Sequence, residues 1–234
     1  PRGRGDPADI GNPPHDQEIT SRFQQIRWRH RLENGGEWSV QVYHNHHESD
    51  EQILTGPIAI PIPPFSVQIP VNFDVRSERN DLEFQHIHPW GPLRIVWGLG
   101  ARVDRVEWPG FLGTAAPVVN HEYRLFGNLE WRVTDRWVVN AGAMYEDNDI
   151  TGRDLSPRLA VNYHLAPGHT LRAAVSSATR NPVLLEEQSF ARFCVPPTCV
   201  LFDQTFASSG NLEPERILSG ELGYLGRLAP FVPL

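Results

Sequence analysis

Long segments of this chain alternate apolar and polar residues with a period of two, and none holds the run of about eighteen apolar residues that a membrane-crossing helix needs. The clearest alternation puts Leu93, Ile95, Trp97, Leu99, Ala101 and Val103 on one face and Arg94, Gly98, Gly100, Arg102 and Asp104 on the other. Successive side chains of a strand point to opposite faces of its sheet. The pattern therefore demands an all-β chain with one apolar and one polar face.

The same period recurs eight more times. Ile26, Trp28, His30 and Leu32 oppose Arg27, Arg29 and Arg31, and after the Asn34-Gly35-Gly36 turn Trp38, Val40, Val42 and His44 oppose Ser39, Gln41, Tyr43 and Asn45. From about Val71 to Ile87 the second half alternates through Leu82, Phe84 and His86, and a one-residue change of apolar phase near Ser77 predicts a bulge. Further strands carry Tyr123, Leu125, Leu129 and Trp131, then Trp137, Val139, Ala141, Ala143 and Tyr145, then Leu155, Leu159, Val161 and Tyr163. The last two carry Leu171, Ala173 and Val175, and Leu218, Leu222 and Tyr224. Short turns lie at His88–Pro92, Thr134–Arg136 and Ala166–His169. Longer connections run from about Asp50 to Pro70, Trp108 to Asn120, Asp147 to Gly152 and Asn181 to Gly210. The Asp50–Pro70 segment is too rich in proline for a central strand. The connections are expected to alternate strictly, three to five residues at one rim and roughly six to thirty at the other. Residues 1–16 have no periodicity and read as a loop or ragged end, in which Arg4-Gly5-Asp6 is a chance tripeptide.

The formal charge of -7 makes nucleic acid a poor partner, and every basic residue is arginine. Trp and Tyr concentrate near the strand ends of the apolar face (Tyr123, Trp131, Trp137, Tyr145, Tyr163, Tyr224), the layout of interfacial girdles around a lipid band. The opposite face mixes arginines with Glu83, Glu122, Glu130, Glu146 and Glu221, which can cross-pair around a wet lumen. These features favour an outer-membrane barrel over a soluble sheet.

Ser156-Pro157-Arg158-Leu159, Leu171-Arg172-Ala173-Ala174, Ala178-Thr179-Arg180-Asn181-Pro182 and, after a long loop, Gly210-Asn211-Leu212-Glu213-Pro214-Glu215-Arg216 with Glu221-Leu222-Gly223-Tyr224 form an ordered set. In order and spacing it resembles the barrel of TonB-dependent outer-membrane receptors. The resemblance implies a twenty-two-stranded barrel filled by an N-terminal plug, importing a scarce nutrient such as a siderophore–iron complex, cobalamin or carbohydrate with energy from a TonB-type coupling protein. It implies outer-membrane lipid and a small-molecule nutrient as partners, and no cofactor or catalysis. Residues 17–234 are then expected to be a partial barrel of nine to ten up-and-down strands, a fragment without plug or C-terminal strands, with short periplasmic turns and long extracellular loops. The rival readings are a passive porin and a secreted β-sandwich enzyme or binding domain.

Few residues stand out as sites. Arg180 and Glu215 flank the longest loop within family-like elements, where anchoring a strand end is a more ordinary role than touching substrate. His44, His46 and His47 lie at a loop entrance, but two imidazoles on one strand face make at most half a metal site. Cys194 and Cys199, the only cysteines, lack a neighbouring histidine and read as a small loop-closing disulfide, permitted in an oxidising medium. No nucleophile, base and acid set or phosphate loop appears.

Overall fold

The structure, a computed structural model, describes residues 2–6, 9–61, 64–195, 199 and 203–227. Its nine long strands are β1 (Glu18–Arg31), β2 (Glu37–Asp50), β3 (Val75–Trp90), β4 (Leu93–Glu107), β5 (Val118–Arg132), β6 (Trp137–Asn148), β7 (Gly152–Ala166), β8 (His169–Arg180) and β9 (Glu215–Gly226). Each pairs antiparallel with its neighbours in chain order, giving one open nine-stranded meander with β1 and β9 at its edges.

Register turns the sequence alternation into two faces. Trp28, Val40, Phe84, Leu99, Leu125, Tyr145 and Leu155 are successive cross-strand partners, so one row of the outer face is apolar from β1 to β7. Arg27, Gln41, Glu83, Gly100, Arg124, Glu146 and Asp154 form the adjacent row of the polar face. A slip of one residue anywhere would mix the two sets.

Among the described residues, none forms a layer over the apolar face. Trp28 is 58% exposed, Leu125 55% and Leu222 89%. Among the described residues the buried apolar side chains are Ile53, Ile69, Val71, Leu112, Ala160 and Ala191, and all but Ala160 belong to the loop-bearing rim. The accessible surface is 16014 Å², where a globular chain of this mass would expose only about 10,700 Å². An uncovered apolar face of this extent marks an interaction surface, for protein or membrane.

At one rim the connections are residues 32–36, 91–92, 133–136 and 167–168. Gly35, Gly91 and Gly168 take positive φ there, which a residue with a Cβ adopts only with strain. The opposite rim carries residues 51–74, 108–117, 149–151 and 181–214. The expected strict alternation of short and long connections fails at 149–151, because β6 and β7 pair as far as Asn148 and Gly152. Nor is there a bulge at Ser77, which pairs with both His47 and Val106 in unbroken register. Both differences have one cause: at this rim the strands run past the apolar band with polar residues on both faces, Arg76, Glu78 and Asn80 alternating with Ser77 and Arg79. Alternation fades there while hydrogen-bonded pairing continues.

The proline-rich connection folds into two ribbons, Gln52–Leu54 with Pro70–Asn72 and Ile58–Pro61 with Pro64–Val67. Ile53, Ile69 and Val71 form its core, with Phe73 and Phe193 packed against it. Phe193 comes from the ribbon Phe190–Cys194 with Asp203–Ala207 in the longest loop, so two loops share one core. Single helical turns, α1 (Pro109–Leu112) and α2 (Leu184–Gln188), lie in the second and fourth of these connections. Arg2–Arg4 pairs with His15–Asp16, and His15 Nε2 lies 2.6 Å from Glu51.

Candidate functional site

On the polar face, arginines and carboxylates of neighbouring strands stand at matching heights. Arg79 of β3 donates from Nε and Nη2 to Asp104 of β4 at 2.6 and 3.3 Å. Arg102 Nε lies 3.0 Å from Asp104, and its Nη2 donates to Glu122 of β5 at 2.5 Å. Arg124, two residues beyond Glu122, reaches back across β4 to Asp81 at 2.6 Å. Three cations and three anions thus form one neutral ladder over three strands. Glu122 is 4% exposed, and such a carboxylate is tolerated only with cations beside it.

The ladder needs glycines beneath it. A Cβ on Gly100 would sit 3.0 Å from Arg124 Nη2, so the absent side chain lets the guanidinium cross β4. At Gly98 a Cβ would meet the Phe126 ring and the Phe84 carbonyl, both at 2.4 Å. The ring could turn, but the backbone oxygen of a paired strand cannot. Gly98→Ala is expected to destabilise the fold by about 1–3 kcal/mol, read as a lower urea midpoint of the detergent-solubilised protein.

Beyond the ladder, toward the loop rim, lies a cleft of about 590 Å³ lined by Arg79, Asp104, Glu122, Asn45, His47 and Asn148 and roofed by Asn181, Pro182, Val183 and Leu184. The roof is tied down at several points. Asn181 Nδ2 donates to Glu146 at 3.2 Å, and Arg180 Nη2 donates to Glu186 at 2.8 Å. The other Glu186 oxygen accepts the Val183 N–H at 2.9 Å, capping the first turn of α2. Glu187 accepts the N–H groups of Asn211 at 2.5 Å and Leu212 at 2.9 Å.

The Val183 N–H, and after it the Arg180 guanidinium, hold the Glu186 carboxyl below its ordinary value of 4.5. Its folded value is depressed, so its contribution to roof order is complete above pH 4.5 and is lost as pH falls through the lowered value. Proteolysis of the roof segment in the intact protein should therefore be unchanged from neutral pH to about pH 5 and accelerate as the pH falls further.

The residues singled out by sequence do not converge on one site. Arg180 and Glu215 are cross-strand partners at the tops of β8 and β9, 3.5 Å apart. His44 Nδ1 meets Asn80 at 2.9 Å, and His46 lies 3.6 Å from Glu48 and 3.5 Å from Glu78. Both are on the outer face, whereas His47 lines the cleft on the other side of β2. Among the described residues no three His, Cys, Asp or Glu side chains form a set that could hold a metal. Cys194 and Cys199 are joined as a disulfide, with Cα atoms 5.0 Å apart. Sequence reasoning missed Asn181, Glu186 and Glu187. The only signal was a Glu-Glu pair soon after Pro182, which marks the first turn of a short helix.

The sequence matches, over residues 1–228, the family profile described as TonB dependent receptor-like, beta-barrel. A search of curated proteins returns no match. Similar solved structures include the siderophore receptor PirA from Acinetobacter baumannii, at 15% identity and a TM-score of 0.62, covering 91% of this chain and 33% of that one. A mutant ferric enterobactin receptor, PfeA, from Pseudomonas aeruginosa aligns at 12% identity and a TM-score of 0.67, over 91% and 33%. The copper transporter OprC aligns at 17% and 0.58, over 90% and 36%. At these identities the likeness is one of fold, and the chain spans about a third of the length of these three structures. With an exposed apolar face, a polar face carrying an ion-pair ladder, and a profile match over nearly its whole length, the chain belongs to the TonB-dependent receptor-like β-barrel family of outer-membrane proteins.

Proposed function

We propose that this chain is part of the wall of an active outer-membrane receptor that takes up a scarce small-molecule nutrient, a siderophore–iron complex being the substrate class that its fold relatives favour. PirA is a siderophore receptor and PfeA a ferric enterobactin receptor. The observation that carries the reading is the roofed cleft on the polar face, beside a self-neutralised ladder and beneath the longest loop. In this reading the tight rim faces the periplasm, the loops face outward, and outer-membrane lipid covers the apolar face. A TonB-type protein supplies energy through the receptor's plug domain. The Cys194–Cys199 bridge then lies in the oxidising medium outside the cell.

Uptake measurements test this on the full-length receptor in its host. Deleting the gene should abolish saturable uptake of one radiolabelled ferric siderophore under iron limitation, and a protonophore should stop the same uptake in the wild type. Uptake that is linear in concentration and indifferent to the protonophore would instead identify a passive pore.

A further inference from the structure

Gly210 and Asn211 are consecutive residues with left-handed backbone, at φ 63° and 54°. Asparagine tolerates this region better than other residues with a side chain, though glycine enters it without strain. In this turn the Glu187 carboxylate accepts the N–H of Asn211 through one oxygen and that of Leu212 through the other. The Glu187 carbonyl is also engaged, accepting from Ser208 Oγ at 2.6 Å. Glu187 lies in α2, which follows directly on the roof residues Asn181–Leu184. Across the same turn, Glu186 grips Arg180 at the end of β8. One helical turn is thus held between the two strands that flank the loop, by Glu186 toward β8 and by Glu187 toward the entry to β9.

We propose that Glu187 is a positioning residue for substrate uptake: held by the N–H groups of Asn211 and Leu212, it fixes α2 and hence the roof of the polar-face cleft at the distance at which a ligand is held. The role assigned to Gly210-Asn211-Leu212 is a backbone one, in which the Asn211 side chain matters only through its tolerance of positive φ. The proposal rests on the uptake reading for its consequence, but its structural half needs no substrate.

Hydrogen exchange on the detergent-solubilised full-length receptor tests that half. In Glu187→Gln, the amides of Asn211 and Leu212 and those of the roof segment 181–188 should exchange at least about tenfold faster, the equivalent of about 1.4 kcal/mol, while β8 and β9 amides below the rim are unchanged. Asn211→Gly should exchange like the wild type, because glycine keeps the positive φ at this position, and Asn211→Val should behave like Glu187→Gln. Roof exchange unaltered in Glu187→Gln, or Asn211→Gly as disruptive as Asn211→Val, would overturn the assignment. The functional half is read with the radiolabelled ferric siderophore that wild-type cells take up. Glu187→Gln should raise its half-saturation concentration about tenfold with the maximal rate preserved. A lower maximal rate at unchanged half-saturation would show a general loss of folded receptor and also defeat the proposal. Failure of the transport reading would appear separately, as absence of energised uptake in the wild type.

Discussion

Leu159→Arg should prevent assembly of the receptor in the outer membrane, while Asn140→Arg, one strand away but on the polar face, should leave assembly intact. Leu159 is 46% exposed and sits between Ala141 and Val175 in the apolar row. Along β7 it lies midway between Leu155 and Tyr163, so a charge there falls at the centre of the apolar band proposed to face lipid. An arginine at that depth costs about 2–4 kcal/mol in a transmembrane barrel, a large fraction of the net stability of a typical domain. Asn140 has Glu130 as cross-strand partner, so its replacement gains an anion and should change stability by less than about 0.5 kcal/mol. The readout is the fraction of receptor in outer-membrane vesicles that migrates as the heat-modifiable folded form. Equal behaviour of the two variants would mean that both faces meet the same solvent, and the assignment of faces would fall.

Removing the centre of the ladder is the second large effect. Arg102→Ala leaves Glu122, whose side chain is 5% exposed, with only Arg124 at 3.7 Å. Asp104 keeps Arg79. Breaking a buried pair from one side costs about 3–5 kcal/mol. The Arg102 side chain is 22% exposed, so solvent screens part of this and the lower end, about 3 kcal/mol, is expected. The double variant Arg102→Met with Glu122→Leu should recover most of the loss, because no uncompensated charge remains. Urea midpoints of the solubilised receptor, with the single variants Arg102→Met and Glu122→Leu to close the cycle, measure both the loss and the coupling energy. Additive single effects would show that the two side chains act independently.

The strand positions were legible because Leu93 to Val103 and its counterparts alternate wherever one face meets an apolar phase and the other meets water. The same logic explains the misreadings. At Ser77 and at residues 149–151 the strands have left the apolar band, both faces are polar, and no periodicity marks the pairing that continues there. Arg180 and Glu215 could be seen as strand-end residues of a family pattern, yet Glu186, the second anion on Arg180, could not, since it is brought there by a loop of irregular structure.

Local alternation, turn residues and the placement of aromatic side chains determined by themselves that this chain forms an up-and-down sheet with a lipid-type and a water-type face. Those properties depend on residues two positions apart, and a strand expresses them directly. The tertiary structure decided what depends on register and loop return: which arginine meets which carboxylate, why a side chain at Gly98 would strike the Phe84 carbonyl, and how Glu187 finds two N–H groups more than twenty residues away. Such contacts join distant parts of the chain, and no short-range pattern encodes a distance that only pairing of the strands creates.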